Sequence, residues 1–373
     1  MQFDSVLELK NEFLSKNFKD DLESKQDKDD LQPKAHTDHV SEFSLMRSSM
    51  GYFGFGYIAK GRNDYELDLR LQNPDKEMYK EAEKFRDERA KREARIAVIK
   101  DVKIPSRGTL PQSGSGNGHL QLIATMRPLH IGLSVAHLHG QAGTLGAFVR
   151  TSNRDIGVLS NNHILSSIST LRHLIIQPSA LDIKLQSQEI QRHHEIGYFE
   201  NCIHISKRVD NKVDAAYAIL NKDISHEGNL LPRGFAIPDE GRRIAEAADP
   251  LDPEVLVGNS TVAKFGRTTG YTSVSGNTDK PLVAVASVSV KFADVGEINF
   301  CDVIEIPWES NNIPFSQGGD SGSLIFLPGS LRAIGLHFAS GERKDLDTGR
   351  SIMVSYACNL SYVLRHLELT LVT

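Results

Sequence analysis

The sequence predicts a mainly β protein, with a β-barrel or β-sandwich preceded by a smaller α+β unit. From about residue 128 onward the chain repeats short apolar, β-branched runs such as GTLGAFVR, TVAKFGR, CDVIEIP and LRAIGLHFA. Gly, Asn, Asp and Ser separate these runs, and the 29 glycines favour turn-rich antiparallel structure over a helical bundle. Together these features are typical of barrel or sandwich strands.

Length and composition divide the chain into four regions. With 373 residues, 39% of them hydrophobic, the chain has enough apolar material for a sizeable core and for two or three folding units. We assign residues 1–44 to an N-terminal helix and linker, and residues 45–105 to a small α+β domain. A Gly/Ser linker over residues 106–122 then leads to the main domain, residues 123–373.

The N-terminal region combines a helix, a linker and two strands. Residues 4–18 carry apolar positions at helical spacing, whereas residues 19–40 are so polar that they indicate a mobile linker. The runs GYFGFGYIAK and DYELDLRLQ predict two strands around a turn, and a charged helix follows them. Acidic and basic residues alternate along that helix, which favours a solvated face over a nucleic-acid surface.

Composition argues against several classes of protein. The formal charge of -5 is mild, and no Lys/Arg run is interleaved with aromatic residues, so we expect no nucleic-acid partner. The N-terminus lacks an apolar signal region, and no stretch approaches the roughly 20 apolar residues of a membrane span. Three cysteines without metal-type spacing indicate a reducing compartment. We therefore expect a cytoplasmic protein that does not bind membranes.

The segment QGGDSGS, followed by the apolar run LIF, carries the strongest chemical signal. Small residues flank the hydroxyl of Ser321, as a nucleophile in a tight turn requires. The backbone N–H groups of Gly319 and Ser321 are then candidates for binding a developing oxyanion. The alternative is an ordinary Gly-rich turn before a strand.

Two upstream segments supply a matching base and acid. LSNNHIL places His163 at the start of a predicted helical turn, and KVDAAYAIL places Asp214 just before an apolar strand. A serine nucleophile needs a histidine to take its proton, and that histidine needs a buried carboxylate to fix its tautomer. The order His, Asp, Ser along the chain therefore predicts His163 as base, Asp214 as its orienting acid and Ser321 as nucleophile.

With these motifs, residues from about 128 to 373 resemble a chymotrypsin-fold, trypsin-like serine protease. More narrowly, GLSVAHLHGQAGTLGAFV, LSNNHIL and KFGRTTG resemble the bacterial trypsin-like proteins related to the plant NARROW LEAF group. The resemblance implies a double six-stranded antiparallel β-barrel, with His163 and Asp214 on the first barrel and Ser321 on the second. It also implies serine endopeptidase activity on a protein or peptide substrate, without a cofactor.

The chain departs from the digestive members of that family. It lacks their disulfides and has no cleavage site of the Arg-Ile-Val-Gly-Gly type before the barrel. In those proteases a freed N-terminus pairs with the Asp before the nucleophile, which is Asp320 here. We therefore expect no activation by terminal insertion, and Asp320 is left to satisfy backbone donors near the turn.

Residues around the nucleophile suggest a specificity. Phe315 stands where trypsin has its acidic residue, so cleavage after Arg or Lys is not expected. His337, in AIGLHFASG, resembles the pocket histidine of glutamyl endopeptidases and picornaviral-type main proteases, which implies Glu, Gln or Asp at P1. The alternative is a core histidine bonded to a backbone carbonyl. Ser316 and Ser340 are further candidates for lining the pocket.

Other histidines carry no site in our interpretation. His130, His137 and His139 cluster before the first barrel strand, and His193 and His194 follow the base. Neither group has HExxH or paired Cys/His spacing, so no metal site is predicted.

Two functional hypotheses remain. The first is an endopeptidase regulated through residues 1–120, which would act as prosegment, targeting module or inhibitor, or bind a regulatory protein partner. The second is a catalytically silent protease-fold scaffold that binds protein partners. An α/β-hydrolase is disfavoured, because that fold uses GxSxG and the order Ser, Asp, His.

Overall fold

The computed structural model describes most of the chain, namely residues 3–17, 46–47, 51–61, 64–90, 93–104, 121–166, 173–250, 255, 261–275, 283–293, 295–309 and 314–373. The stretches 19–40 and 106–120, both predicted as linkers, lie outside the described residues.

Short helices flank and connect the strands. The described α-helices are α1 (Phe3–Asn17), α2 (Lys76–Glu88), α3 (Asn162–Leu165), α4 (Ala180–Leu185) and α5 (Leu360–His366), and a 3₁₀ helix covers Arg192–His194. α1 corresponds to the helix predicted over residues 4–18, and α2 to the predicted charged helix. α2 begins at Asp75, whose Oδ1 accepts the Met78 N–H at 2.9 Å and so satisfies one of the first-turn donors.

Twenty strands are described. The N-terminal ones are β1 (Met46–Arg47), β2 (Tyr52–Gly61), β3 (Asp64–Gln72) and β4 (Ala94–Lys103). The next are β5 (Ser134–His137), β6 (Gly143–Thr144), β7 (Ala147–Arg150), β8 (Ile156–Ser160), β9 (Leu174–Ile176), β10 (Glu195–Cys202) and β11 (Ala216–Leu220). The remainder are β12 (Glu246–Ala247), β13 (Thr261–Gly266), β14 (Gly270–Ser275), β15 (Val283–Phe292), β16 (Gly296–Trp308), β17 (Leu324–Leu327), β18 (Arg332–Asp345), β19 (Ser351–Asn359) and β20 (Thr370–Leu371).

Within the described ranges the strands form two sheets. The first has eight strands in the order β20-β7-β8-β11-β10-β9-β5-β6. The second has twelve, in the order β1-β2-β3-β4-β15-β16-β19-β18-β17-β13-β14, with β12 beside β18 and a second contact of β4 with β18. The prediction of a mainly β protein with two barrel-like sheets is confirmed.

The N-terminal strands extend the second sheet. β3 pairs with β4, β4 pairs with both β15 and β18, and β2 reaches β15. Their apolar side chains share one hydrophobic cluster with the second sheet, including Phe55, Leu69, Ile304, Trp308 and Ile334. Such burial contributes roughly 25 cal/mol per Å² of apolar surface. The region predicted as a separate α+β domain therefore packs as part of the main domain's second sheet.

A buried cluster of charges ties the N-terminal strands to the sheet. Arg70 of β3 pairs with Glu305 of β16, donating from Nη2 to Oε1 at 2.8 Å, and donates from Nε to Asp68 at 2.7 Å. Arg343 of β18 donates to the same Glu305 at 3.1 Å, and the Tyr356 hydroxyl donates to it at 2.7 Å. Burial alone would raise the pKa of Glu305, but the two guanidinium groups and the hydroxyl lower it to about 2.

None of the described helices is long and apolar enough to cross a membrane.

Candidate active site

The loop before β17 holds Ser321 at a sharp turn. The Asp320 N–H donates to the Gln317 carbonyl and the Ser323 N–H to the Asp320 carbonyl, both at 3.0 Å. Gly319 lies at φ +99° and Gly322 at φ +91°, in the region that side chains rarely adopt. A β-carbon on Gly319 would lie 2.4 Å from a threonine hydroxyl, so this turn requires glycine there.

The peptide units around the nucleophile are held by their carbonyl groups. Thr144 donates from its hydroxyl to the Gly319 carbonyl and from its N–H to the Ser321 carbonyl, both at 2.8 Å. Within the described part of the chain, no acceptor bonds to the N–H of Gly319 or of Ser321. These two N–H groups are therefore available to donate to an anionic oxygen.

A buried ion pair fixes the turn from behind. The Asp320 carboxylate accepts N–H groups of Thr268 at 2.9 Å, Thr269 at 3.1 Å and Gln317 at 2.9 Å. The Lys264 ammonium, fully buried in β13, lies 3.2 Å from the same carboxylate. Burial alone would raise the pKa of Asp320, but this ammonium and the surrounding donors lower it. Asp320 thus remains charged and holds the loop to β13.

His163 and Asp214 are in direct contact. Asp214 is fully buried, and its Oδ2 contacts Nδ1 of His163 while its Oδ1 accepts the His163 N–H at 3.2 Å. Asn161 donates to the Asp214 carbonyl at 2.7 Å, and the Asp214 N–H points at Cys358 Sγ at 3.1 Å. The carboxylate therefore fixes the tautomer that carries a proton on Nδ1 and leaves Nε2 as the basic nitrogen.

The loop over residues 315–323 carries Ser321, the predicted nucleophile, and is named the nucleophile loop. It lies against the strand that leads to His163. Ser160, three residues before His163, donates to the Thr144 carbonyl at 2.7 Å, and a β-carbon on Gly322 would meet the Ser160 hydroxyl at 2.0 Å. No hydrogen bond joins the Ser321 hydroxyl to His163, whose Nε2 lacks a partner among the described residues. The two sheets thus bring His163, Asp214 and Ser321 to one region, but the hydrogen bond between Ser321 and His163 is not formed.

An apolar cover lies over His163. The Phe292 ring of β15 contacts the His163 ring edge-on, with centroids 6.2 Å apart. Both residues line a cavity of about 440 Å³ together with Ile104, His139 and His204. Ser321 itself is 3% exposed. Ser321 is therefore shielded from solvent, whereas His163 faces the cavity.

His337 lies in β18 beside a bulge between His337 and Ala339. Its side chain is fully buried, and Nδ1 lies 3.1 Å from the Tyr356 carbonyl. Burial and the Lys264 ammonium lower the pKa of His337 to about 3. The ring is therefore neutral, donates from Nδ1 and keeps Nε2 as a buried acceptor without a partner among the described residues.

The other predicted pocket residues occupy two environments. The Ser316 hydroxyl bonds to those of Ser340 at 2.9 Å and Ser355 at 2.6 Å, so these hydroxyls form one cluster. The Phe315 ring is 1% exposed and packs in the hydrophobic cluster shared with the N-terminal strands. The structure brings Ser316 and Ser340 together, and makes Phe315 a core residue.

The remaining histidines have packing partners. His130 Nδ1 bonds to the Ile131 carbonyl at 2.8 Å, and His194 Nδ1 accepts the Gln191 N–H at 2.9 Å. Among the described residues, no group of three or more His, Cys, Asp or Glu side chains could hold a metal ion. The side chains of Cys202, Cys301 and Cys358 are thiols.

Sequence reasoning missed two features of this site. Lys264 stands inside the quoted run KFGRTTG, but nothing in that run indicates that its ammonium faces Asp320. The cover by β15 and β4 depends on pairings between distant segments, which no local pattern reveals.

Solved structures of serine proteases resemble this chain. A Nocardiopsis protease is 15% identical, covers 66% of this chain and 100% of its own, and gives a TM-score of 0.42. A glutamic acid-specific serine protease, described as using a novel histidine triad in substrate binding, is 18% identical, covers 65% of this chain and 100% of its own, and gives a TM-score of 0.42. A Cellulomonas bogoriensis chymotrypsin is 14% identical, covers 66% of this chain and 100% of its own, and gives a TM-score of 0.40.

No protein-family model matches the sequence, and no curated protein matches it.

Proposed function

We propose that the protein is a serine endopeptidase with Ser321 as nucleophile, His163 as general base and Asp214 as the residue that orients the base. One observation carries this proposal: a buried carboxylate holds His163 by Nδ1 and leaves Nε2 without a partner, beside a glycine turn with two unpartnered N–H groups. These are the parts that acyl transfer requires.

The reaction follows from these groups. Nε2 of His163 takes the Ser321 hydroxyl proton as the oxygen attacks the scissile carbonyl carbon, and Asp214 stabilises the resulting imidazolium. The N–H groups of Gly319 and Ser321 bind the oxyanion. His163 then protonates the leaving amine, the C–N bond breaks, and an acyl-enzyme remains. Water, deprotonated by His163, hydrolyses the ester and restores the Ser321 hydroxyl.

We also propose that the P1 side chain is Gln, Glu or Asp and that His337 recognises it, with Ser316, Ser340 and Phe315 around it. A neutral His337 accepts a hydrogen bond at Nε2, which suits the amide of Gln, whereas a carboxylate would require a protonated ring. Gln is therefore the expected first choice. A mixed peptide library tests this: cleavage mainly after Arg, Lys or large apolar residues contradicts it. His337→Leu should lose the Gln preference, whereas His193→Leu, at an exposed histidine, should keep it.

The proposal includes regulation and location. Residues 1–120 regulate the peptidase or recruit a protein partner, and the thiol state of the three cysteines supports a cytoplasmic, reducing environment. The relation to bacterial proteins of the NARROW LEAF group rests on the quoted motifs alone.

A silent scaffold is the second candidate. The 3% exposure of Ser321 and the missing hydrogen bond to His163 favour it, because an active enzyme must admit substrate and form that bond. Apo enzymes, however, form some catalytic hydrogen bonds only with substrate.

A serine-directed fluorophosphonate separates the two candidates. The full-length protein should be labelled, Ser321→Ala should not be, and His163→Ala should be labelled at least 100-fold more slowly. Ser330→Ala, at an exposed turn, serves as the matched control and should be labelled like the unchanged protein. Equal labelling of the Ser321→Ala and unchanged proteins would contradict the assignment.

A further inference from the structure

One edge of β18 carries three partners in succession. β18 has two edges. β19 pairs with Gly335 to Lys344 along one edge, and β17 and β4 pair along the other. β17 pairs as far as Leu336, and β4 begins at Ser340. Between them, the nucleophile loop bonds to His337: the Gly322 N–H donates to the His337 carbonyl at 2.8 Å. The nucleophile loop and β4 thus occupy neighbouring stretches of a single strand edge.

The end of β4 points towards the nucleophile. β4 runs antiparallel to β18, with Ala97 opposite Asp345 and Lys103 opposite Ser340. Only Phe338 and Ala339 separate this last pair from the part of β18 bonded to the nucleophile loop, a span of about 10 Å for three residue steps. The C-terminal end of β4 therefore lies about three residues along β18 from the part that bonds to the Ser321 loop.

Ile104 and His163 line the same cavity. The Ile104 N–H donates to the Lys291 carbonyl of β15 at 3.2 Å, which holds β4 between β15 and β18. The Ile104 side chain, 7% exposed, lines the cavity that contains His163 and Phe292. The tip of β4 therefore forms part of the wall of the cavity that His163 faces.

The fit between β4 and β18 is close. A β-carbon on Gly341 would lie 2.9 Å from the Lys100 carbonyl oxygen and 2.8 Å from a Val102 methyl group. Val102 and Ile99 are 3% and 1% exposed. The two backbones thus approach as paired strands do, and apolar side chains of β4 are buried on the sheet.

We propose that β4 together with Ile104 is an intramolecular pseudosubstrate that closes the peptide-binding edge of β18. An extended peptide binds a free strand edge by adding a strand, with its backbone hydrogen bonds supplying affinity. A peptide longer than two or three residues on the edge next to Ser321 must extend past Ala339, and this chain's own β4 occupies that edge from Ser340 to Asp345. The inference rests on the proposed peptidase function and names the segment that would restrain it. A long peptide must displace the tip of β4 before cleavage.

A reversible crosslink tests whether β4 must move. Lys100→Cys and Glu342→Cys stand opposite each other, outside the proposed P1 pocket, and their disulfide locks the C-terminal half of β4 in a Cys202→Ser background. Ala97→Cys with Asp345→Cys locks the far end of the same ladder as a control. We expect oxidation of the first pair to lower kcat/KM for a decapeptide substrate at least 10-fold, with recovery on reduction, and oxidation of the control pair to leave it within 2-fold.

An opening variant tests the same inference from the other side. Ile104→Gly removes a side chain that lines the cavity at the end of β4, and Lys100→Gly removes an exposed side chain from the same strand. Ile104→Gly should raise decapeptide hydrolysis at least 10-fold over the unchanged protein, and Lys100→Gly should leave it within 2-fold.

The outcomes separate the two proposals. Equal decapeptide hydrolysis in the locked, unlocked and Ile104→Gly proteins, with Ser321 still labelled by fluorophosphonate, overturns the pseudosubstrate and leaves the peptidase standing. Absence of labelling in every variant, with folding verified by circular dichroism, overturns the peptidase and with it the restraining role of β4.

Discussion

Replacing Lys264 by Met should destabilise the protein and disorder the nucleophile loop. The Lys264 ammonium lies 3.2 Å from the Asp320 carboxylate, and both side chains are fully buried. At an effective dielectric constant of about 20, such a pair interacts with about 5 kcal/mol. Removing one partner of a buried pair costs about 3 to 5 kcal/mol, because the other charge stays buried and unpaired.

Urea unfolding at pH 7, followed by the fluorescence of Trp308, measures this loss. Trp308 is the only tryptophan in the sequence and is 7% exposed, so its emission reports the second sheet. We expect Lys264→Met to lower the free energy of unfolding by about 3 to 5 kcal/mol and to reduce fluorophosphonate labelling, since Asp320 would no longer hold the loop.

Lys212 offers a matched control. Its ammonium also lies 3.2 Å from a carboxylate, that of Asp302, but the Lys212 side chain is 24% exposed. Lys212→Met should cost no more than about 1 kcal/mol. The double variant Lys264→Met with Asp320→Asn should lose less than Lys264→Met alone, because no charge is stranded. A loss below about 1 kcal/mol for Lys264→Met would refute the reasoning.

Three further predictions follow from the described contacts. Gly319→Ala keeps the backbone N–H but is strained at φ +99°, and its β-carbon would lie 2.4 Å from a threonine hydroxyl. The turn should therefore shift, displace the oxyanion donor and lower the rate constant of peptide hydrolysis about 10² to 10³-fold, whereas Gly349→Ala, with open space at its β-carbon, should leave hydrolysis unchanged. Because folding lowers the pKa of Glu305 from 4.5 to about 2, its charged form stabilises the fold above pH 4.5, and about 3 kcal/mol should be lost as the pH falls towards 2. In acid titrations of unfolding, Glu305→Gln should lack this loss and the exposed Glu309→Gln should retain it; identical curves would contradict the assignment. Deleting residues 1–104 should give an aggregating protein by light scattering, since it uncovers the apolar face of the second sheet, and a monomeric, cooperatively folded product would show the strands to be separable.

The parts of the site that sequence could predict are those encoded locally. GGDSGS defines a turn that requires glycine at positive φ, and the structure has Gly319 and Gly322 there. LSNNHIL and KVDAAYAIL place His163 and Asp214 on elements that the first sheet brings into contact. In each case the chemistry depends on a few adjacent residues, so a short pattern carries it.

The other parts depend on contacts between distant segments. β4 has a strand's composition, but its pairing with β18 is fixed by burial against residues more than 200 positions away. The sequence therefore indicates a separate N-terminal domain where the structure has a continuous sheet. Arg70 and Glu305, 235 residues apart, illustrate the same point, since neither looks buried from its neighbours in the chain.

The separation of 235 residues between Arg70 and Glu305 also bears on biosynthesis. A ribosome adding about 5 to 20 residues per second needs about 10 to 50 s to make that intervening chain. During this interval the apolar faces of β2, β3 and β4 have been synthesised without the strands that cover them. The nascent chain therefore presents unpaired strand edges for many seconds, which makes it a natural client for chaperones that hold extended apolar segments. Because the sheet closes only when its last strands emerge, a truncated translation product would carry its N-terminal strands uncovered.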